Sequence, residues 1–225
     1  NARNARRKQS GSLLFWYKAF LDKVGHDKAV LIMHTDVKDP NGQDLGVIIK
    51  HLGLTNNEVL FSTQKLPPEI MNLLYNVSDC FISVSDAEGF GCPSLESLTT
   101  ETPIIVTMTG GMQEQVTNGS EWFGIGLEPA SKAVIGSQGQ GFADVPYIYE
   151  DRLAEKDVVD AMFKMYSTTK EEREELGRLG RQHSLTNYNY DECQKKWVEL
   201  MTDIHSRHGS WDTRKLFSPV NSEEL

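Results

Sequence analysis

Short apolar runs alternate with longer helical patterns along the chain, and this alternation restricts the fold more than any other feature of the sequence. Apolar runs typical of strands lie at residues 29–34, 59–62, 80–84 and 103–107. Helical patterns lie at residues 13–24, 44–52, 67–77 and from Pro93 to about Thr100, and a further helix is entered through Gly110 and Gly111. Strands and helices in this order form a parallel sheet with crossover helices. The sequence therefore predicts an α/β fold, with helices flanking a Rossmann-like parallel sheet.

The remaining residues are expected to be irregular first and then helical. Residues 122–150 are rich in glycine and proline, which predicts loop with a short strand or two, and the tract 136–141 is predicted to be a mobile insertion. Helices are predicted at about 155–167, 170–185 and 191–205. We accordingly expect a domain of residues 1–190, a C-terminal helix at 191–206 and an irregular tail at 207–225.

Composition excludes several classes of protein. A hydrophobic content of 39% in 225 residues can bury a substantial core, whereas a formal net charge of -9 argues against a nucleic-acid binder. No apolar run approaches the roughly 18 residues of a membrane span, and the basic first residues lack the apolar segment of a secretory signal. The three cysteines, an odd number without metal-type spacing, favour a reducing compartment, and we expect a cytoplasmic location.

Motifs for metal, ATP and dinucleotide chemistry are missing from the sequence. There is no Asp-x-Asp motif, no His-x-x-x-His pair and no Cys-x-x-Cys pair, so a catalytic metal is not expected. The Gly-x-x-x-x-Gly-Lys-Ser/Thr loop and a Gly-x-Gly-x-x-Gly after the first strand are also absent, which weighs against ATPase and dinucleotide-binding functions.

A glycine-rich turn between the strand at 80–84 and the following helix is the candidate ligand site. Gly89 and Gly91 let the backbone approach a ligand closely, and Pro93 suits the first position of a helix. Free amides of Ser94, Leu95 and Glu96 would then face outward and bind an anion such as a diphosphate.

Two glutamates flank this turn, although a carboxylate and a phosphate normally repel each other. Glu88 could accept hydrogen bonds from the hydroxyl groups of a hexose, and Glu96 from those of a ribose. Equally, Glu88 could be a solvated loop residue, and Glu96 an acid favoured in a first helical turn. Spacing alone does not decide between these interpretations.

The segment EGFGCPSLE, with seven residues between Glu88 and Glu96, resembles the E-x7-E signature of retaining GT-B glycosyltransferases of family 4. The resemblance extends over about residues 1–206 and implies the C-terminal, donor-binding half of a GT-B fold. It further implies that an Arg and a Lys at the first strand-to-helix junction stabilise a leaving nucleoside diphosphate. Arg3 and Lys8 match best, Arg6 and Arg7 compete for the same role, and a solvated basic terminus is the alternative.

The resemblance implies transfer of a hexose from a nucleoside-diphosphate sugar to a hydroxyl acceptor, with retention and through an oxocarbenium-like transition state. Mannose is our working choice of hexose, and no residue marks it. Lys65 lies in a loop after the strand at 59–62 whose backbone could pair with the base. The residues expected at the site are catalytic Glu88, Arg3 and Lys8 and donor-binding Gly89, Phe90, Gly91, Ser94, Leu95, Glu96 and Lys65.

We expect no cofactor beyond the donor, and a GDP-sugar rather than a UDP-sugar. Expected partners are the nucleotide sugar, a carbohydrate or glycan acceptor and an N-terminal GT-B domain that this chain lacks, with no nucleic acid and a homodimer left open. Without that domain, the helix at 191–205 would expose an apolar stripe.

Two other functions remain open at this point. A non-catalytic nucleotide-sugar binding module would keep the fold and the site without turnover. A Rossmann-like domain unrelated to sugars would bind a nucleoside diphosphate and its sugar conjugate equally well.

Overall fold

A computed structural model describes residues 1–135, 148–210 and 212. The contacts divide the chain into two compact units, Asn1–Leu185 and Thr186–Leu225, a few residues before the boundary expected at 190. The strands are β1 (Leu31–His34), β2 (Val59–Ser62), β3 (Phe81–Ser83), β4 (Ile104–Thr107), β5 (Gly124–Leu127), β6 (Ser131–Val134) and β7 (Tyr149–Arg152). The helices are α1 (Ser10–Val24), α2 (Leu45–Leu52), α3 (Pro68–Asn76), α4 (Cys92–Thr99), α5 (Met112–Val116), α6 (Glu155–Ser167), α7 (Lys170–Asn187) and α8 (Tyr190–His208).

The strands form parallel sheets, as the alternating pattern predicts. β1 pairs with β2 in parallel, with Leu31 opposite Val59. β3, β4 and β5 form a second parallel sheet in that order, with Phe81 opposite Ile104 and Ile104 opposite Gly124. β6 and β7 form an antiparallel pair. The predicted α/β class with a parallel sheet flanked by helices is confirmed.

Helix ends follow from local chemistry. The side chain of Asp44 caps α2 by accepting a hydrogen bond from the amide of Val47 at 3.1 Å, and Gly53 ends that helix in the left-handed conformation. Pro68 is the first residue of α3, where a missing amide hydrogen costs nothing. A short 3-10 turn at Arg6–Lys8 precedes α1, which begins three residues before the predicted start at 13.

The cores lie against the two parallel sheets. All four residues of β4 are buried, which is typical of a central parallel strand covered on both faces. One apolar cluster joins α1 and α6 to residues such as Val84 and Ile105, and a second joins Tyr75, Phe81 and Leu98. These clusters fix the end of β3, from which the candidate site begins.

The C-terminal residues differ in part from the prediction. In α8 the side chain of Asn189 accepts a hydrogen bond from the amide of Glu192, and the helix continues to His208, so the tail predicted to be irregular from 207 begins as helix. Apart from residues 209, 210 and 212, the remainder of that tail lies outside the described residues, as does the insertion predicted at 136–141. Exposed apolar side chains on α8 are Trp197, Val198, Leu200, Met201 and Ile204.

The packing of α8 against an N-terminal domain stays a prediction. Within residues 1–135 and 148–210, no helix combines the length and the apolar character needed to cross a membrane.

Candidate functional site

The turn after β3 leads into α4 with a geometry that only glycine adopts easily. Gly91 precedes the helix with a φ of 86°, in the left-handed region. The sequence predicted Pro93 as the first residue of the helix. The helix begins at Cys92, so Pro93 is its second residue. The amide of Leu95 donates to the carbonyl of Gly91 at 3.3 Å. The prediction that Leu95 offers a free amide is therefore wrong, and the amides without a helical carbonyl partner are those of Cys92 and Ser94.

A second turn braces the glycine-rich one. The amide of Gly111 donates to the carbonyl of Gly89 at 3.0 Å, and Nε2 of Gln115 donates to the carbonyl of Phe90 at 2.7 Å. The hydroxyl of Ser94 donates to Oε1 of Gln115 at 2.5 Å, and the Gln115 side chain is fully buried. The sequence marked neither Gln115 nor its role, since nothing in the pattern around it distinguishes it from a helical surface glutamine.

Glu88 is the charged centre of the turn. Its Oε2 atom accepts a hydrogen bond from Nζ of Lys8 and another, of 3.2 Å, from the guanidinium of Arg7. The side chains of Glu88 and Lys8 are only 11% and 13% exposed. Burial alone would raise the pKa of Glu88, but Lys8 and Arg7 outweigh it and hold that pKa below its ordinary value. Glu88 is therefore ionised at neutral pH.

The four N-terminal cations are divided among three carboxylates, and Arg7 and Lys8 share Glu88. Arg3 pairs with Asp39, from Nε to Oδ2 at 2.8 Å, and its side chain is 63% exposed. Arg6 donates to both oxygens of Glu150, at 2.7 and 2.6 Å. Of the predicted catalytic residues the structure brings Lys8 to Glu88 and leaves Arg3 at Asp39. Arg7, which competed with Arg3 in the sequence, takes the place beside Lys8.

A buried network behind these cations was not predicted. Oδ2 of Asp86 accepts from Nε2 of Gln9 at 2.5 Å and forms an ion pair with Arg152 at 2.7 Å. Arg152 also donates to Glu150 at 3.0 Å. Burial raises the pKa of Asp86 despite Gln9 and Arg152, whereas Arg6 lowers that of Glu150. The network ties the basic segment to β7, a strand far away in sequence.

Glu96 lies on the exposed side of α4 and has a buried partner. The phenol of Tyr75 donates to Oε2 of Glu96 at 2.7 Å, and Nδ2 of Asn1 donates to the same phenol at 2.9 Å. The sequence suggested that Tyr75 is a core aromatic, and at 6% exposure it is buried. Its hydroxyl nevertheless serves the candidate site.

Other predicted site residues are placed less centrally. Gly89 and Phe90 are exposed at the surface of the turn. Lys65 is exposed on the loop after β2, and no contact among the described residues joins its side chain to Glu88 or Glu96. Nor does the described part of the chain contain three His, Cys, Asp or Glu side chains grouped to hold a metal ion.

The family model for glycosyl transferases group 1 matches residues 25–138, just over half of the 225 residues. This chain belongs to the glycosyl transferases group 1 family. The matched region includes the Glu88 turn, α4 and the bracing turn at Gly110 and Gly111. A search of curated proteins gave no match.

Solved structures share the fold of this group 1 domain. Sucrose-phosphate synthase from Thermosynechococcus elongatus is 18% identical with a TM-score of 0.68, over 92% of this chain and 44% of that one. The C-terminal domain of a group 1 glycosyl transferase from Francisella tularensis is 18% identical with a TM-score of 0.60, covering 84% and 83%. A trehalose-6-phosphate structure from E. coli with UDP-2-fluoro glucose bound is 12% identical with a TM-score of 0.63, covering 88% and 42%.

These similarities show a GT-B fold, and the fold of this chain matches most of an isolated C-terminal domain of a group 1 glycosyl transferase. The chain spans less than half the length of the sucrose-phosphate synthase that it resembles.

Proposed function

We propose that this chain is the donor-binding half of a retaining glycosyltransferase that moves a hexose from a nucleoside-diphosphate sugar to a hydroxyl acceptor. The observation that carries the proposal is the Glu88 carboxylate, held between Lys8 and Arg7 where the turn enters α4. An ionised carboxylate accepts hydrogen bonds from sugar hydroxyls, and the two cations beside it suit a diphosphate. Both halves of a nucleotide sugar would thus find complementary groups within one turn.

The diphosphate is the group that gains negative charge when the sugar leaves. Fixed cations and helix-start amides stabilise such charge most effectively when they are already oriented before the reaction. Lys8 and Arg7 supply the charges, and the amides of Cys92 and Ser94 supply the helix end. Arg3 would reach the same diphosphate only by leaving Asp39.

The nucleotide itself is a separate question from the transfer chemistry. GDP and mannose are our working hypothesis for the donor and no residue of the sequence marks them, whereas the E. coli neighbour holds a UDP-sugar. We propose that Glu96, oriented by Tyr75, accepts hydrogen bonds from the ribose hydroxyls, which both nucleotides share. We further propose that the reaction needs no metal, that it is cytoplasmic, and that a second domain binds the acceptor.

Calorimetric titration of GDP-mannose, UDP-glucose and the two free diphosphates tests this assignment. Glu88→Ala should weaken the sugar conjugate about tenfold while changing the free diphosphate less, because one charge-assisted hydrogen bond contributes about 1.5–3 kcal/mol. Glu96→Ala should weaken conjugate and diphosphate alike. Glu175→Ala is the control, since Glu175 is an exposed carboxylate on α7 paired with Arg178.

Unchanged binding of every donor in both Glu88→Ala and Glu96→Ala would show that the site is wrong. Equal affinities for the diphosphate and its sugar conjugate in the unsubstituted chain would instead favour a Rossmann-like domain unrelated to sugars. A non-catalytic module is distinguished by turnover: it would bind the conjugate but transfer no sugar when joined to an acceptor domain.

A further inference from the structure

Gln9 has a backbone conformation that its side chain disfavours. It separates the 3-10 turn at Arg6–Lys8 from α1, and its φ of 54° and ψ of 31° lie in the left-handed region that glycine adopts at little cost. Asparagine and aspartate tolerate this region better than glutamine does. A strained residue persists only where surrounding contacts hold it, so the contacts of Gln9 indicate what its conformation serves.

The side chain of Gln9 is held at both ends of its amide group. Nε2 donates to Oδ2 of Asp86 at 2.5 Å, and Oε1 accepts from the hydroxyl of Ser12 at 2.6 Å. A glycine in place of Gln9 would relieve the backbone but could make neither contact. These two hydrogen bonds are therefore what glutamine provides at this position and glycine cannot.

Asp86 binds both neighbours of Lys8 in the chain. The amide of Asp86 donates to the carbonyl of Arg7 at 2.8 Å, and its carboxylate accepts from Gln9. Lys8 lies between these two residues, and its partner Glu88 comes two residues after Asp86. Both members of the Lys8–Glu88 pair are thus attached to a single residue, whose backbone and side chain set their separation.

Asp86 is a rigid point of attachment. It is 3% exposed, its carbonyl accepts from the amide of Asp151 at 2.8 Å, and its carboxylate forms an ion pair with Arg152 at 2.7 Å. A long lysine side chain loses rotamer freedom when it is fixed in one place. If Lys8 is fixed before a ligand binds, that loss no longer reduces the affinity for an anion.

We propose that Gln9 is a positioning residue, which holds the ammonium group of Lys8 against Glu88 and so presents it to the diphosphate of the donor. Gln9 acts through Asp86 and Lys8 and needs no contact of its own with the donor. The part that concerns the diphosphate rests on the proposed function. The part that concerns Lys8 rests on the contacts of the chain alone.

The first test measures by mass spectrometry how fast formaldehyde and dimethylamine-borane methylate Lys8, with Lys18 on α1 as the reference. Gln9→Gly removes the side chain and relieves the backbone, whereas Gln9→Ala removes the side chain and keeps the strain. Both should raise the rate at Lys8 about threefold or more relative to Lys18, because a side chain that is 13% exposed is released from its pair. Gln9→Gly should nevertheless melt at a higher temperature than Gln9→Ala.

Asn57→Gly is the matched control for the backbone. Asn57 is exposed, has a φ of 66° and lies in the loop before β2, away from Lys8 in the sequence. Its substitution should relieve the same kind of strain without changing the methylation rate at Lys8. A rate that rises in only one of the two Gln9 variants, or in neither, would overturn the proposal, because both variants lose the same contacts.

A second test measures the affinities for GDP, UDP and inorganic pyrophosphate by calorimetry. Because all three ligands contain the diphosphate, each Gln9 variant should bind all three about three- to tenfold more weakly. Unchanged affinities beside a raised methylation rate would overturn the role of Gln9 in presenting Lys8 to the diphosphate. If the unsubstituted chain bound none of the three, the proposed function would be contradicted, and the methylation rate would still decide whether Gln9 holds Lys8.

Discussion

The phenol of Tyr75 donates a hydrogen bond of 2.7 Å to Oε2 of Glu96. Tyr75 is buried in α3, whereas Glu96 lies on the exposed side of α4, so the bond couples a fixed group to one that solvent could otherwise reorient. Burial is the main cause that raises the pKa of Tyr75 above its ordinary value. The phenol therefore keeps its proton and donates a hydrogen bond throughout the neutral pH range. Glu96 is held in one orientation before any ligand binds.

Tyr75→Phe should weaken nucleotide binding while leaving the fold intact. The ring stays in its apolar cluster and only the hydroxyl is lost, at a stability cost of about 1 kcal/mol. Because Glu96 would then be free to turn, we expect the affinity for GDP and UDP to fall about three- to tenfold. Isothermal calorimetry measures this, and inorganic pyrophosphate, which has no ribose, is the matched ligand. An equal loss for pyrophosphate would contradict a role through Glu96.

Glu150→Gln should destabilise the chain through the basic segment. Glu150 is 4% exposed and accepts from Arg6 and Arg152, so the amide leaves two guanidinium groups partly unsatisfied. We expect the free energy of unfolding to fall by about 2 kcal/mol, less than for a fully buried pair because Arg6 is 41% exposed. Urea denaturation measures the change. Glu175→Gln, which breaks an exposed pair with Arg178, should change the free energy of unfolding far less.

The loss of stability at acidic pH should include a contribution from Glu150. Hydrogen bonding to Arg6 lowers the folded-state pKa of Glu150 below its ordinary value of 4.5. Its stabilisation is consequently complete above pH 4.5 and is lost as the pH falls through the lower, folded-state pKa. Melting temperatures measured from pH 7 to pH 3 should fall less steeply below pH 4.5 in Glu150→Gln. A parallel fall in both proteins would contradict the pairing.

The strands and helices could be predicted from local sequence patterns. The contacts within the candidate site join residues far apart in sequence and could not be predicted in that way. The strand at 59–62 and the glycine-rich entry into α4 follow from patterns within a few residues. The partner of each N-terminal cation cannot be predicted from such a local pattern. Arg6 pairs with Glu150, 144 residues away, on a strand in a region predicted mainly as loop.

The same limit explains why Arg3 was preferred to Arg7 in the sequence. The sequence does not distinguish four long cationic side chains that lie so close together along the chain. The tertiary structure determines which of them pairs with Asp39, Glu150 or Glu88. Tyr75 shows the complementary case: its apolar spacing correctly predicted burial, but no pattern marked the direction of its hydroxyl.

Alanine substitutions at two glycines of the paired turns should distinguish an effect on folding from an effect on ligand binding. A Cβ at Gly110 would lie 1.6 Å from the carbonyl oxygen of Glu88, and its φ of 51° already disfavours a side chain. Gly110→Ala should therefore lower the free energy of unfolding by about 2 kcal/mol or more and displace Glu88. A Cβ at Gly89 meets no protein atom within 4 Å, so Gly89→Ala should leave stability unchanged or raise it by up to about 1 kcal/mol.

Ligand binding by Gly89→Ala then reports on what occupies the space above the turn. If the diphosphate or the sugar approaches the backbone there, the added methyl group should weaken the nucleotide sugar about tenfold although the protein melts normally. Thermal melting and calorimetry on the same preparation measure both quantities. Unchanged affinity in Gly89→Ala would place the donor away from this turn, because an open face that tolerates a methyl group with ligand bound is not in contact with that ligand.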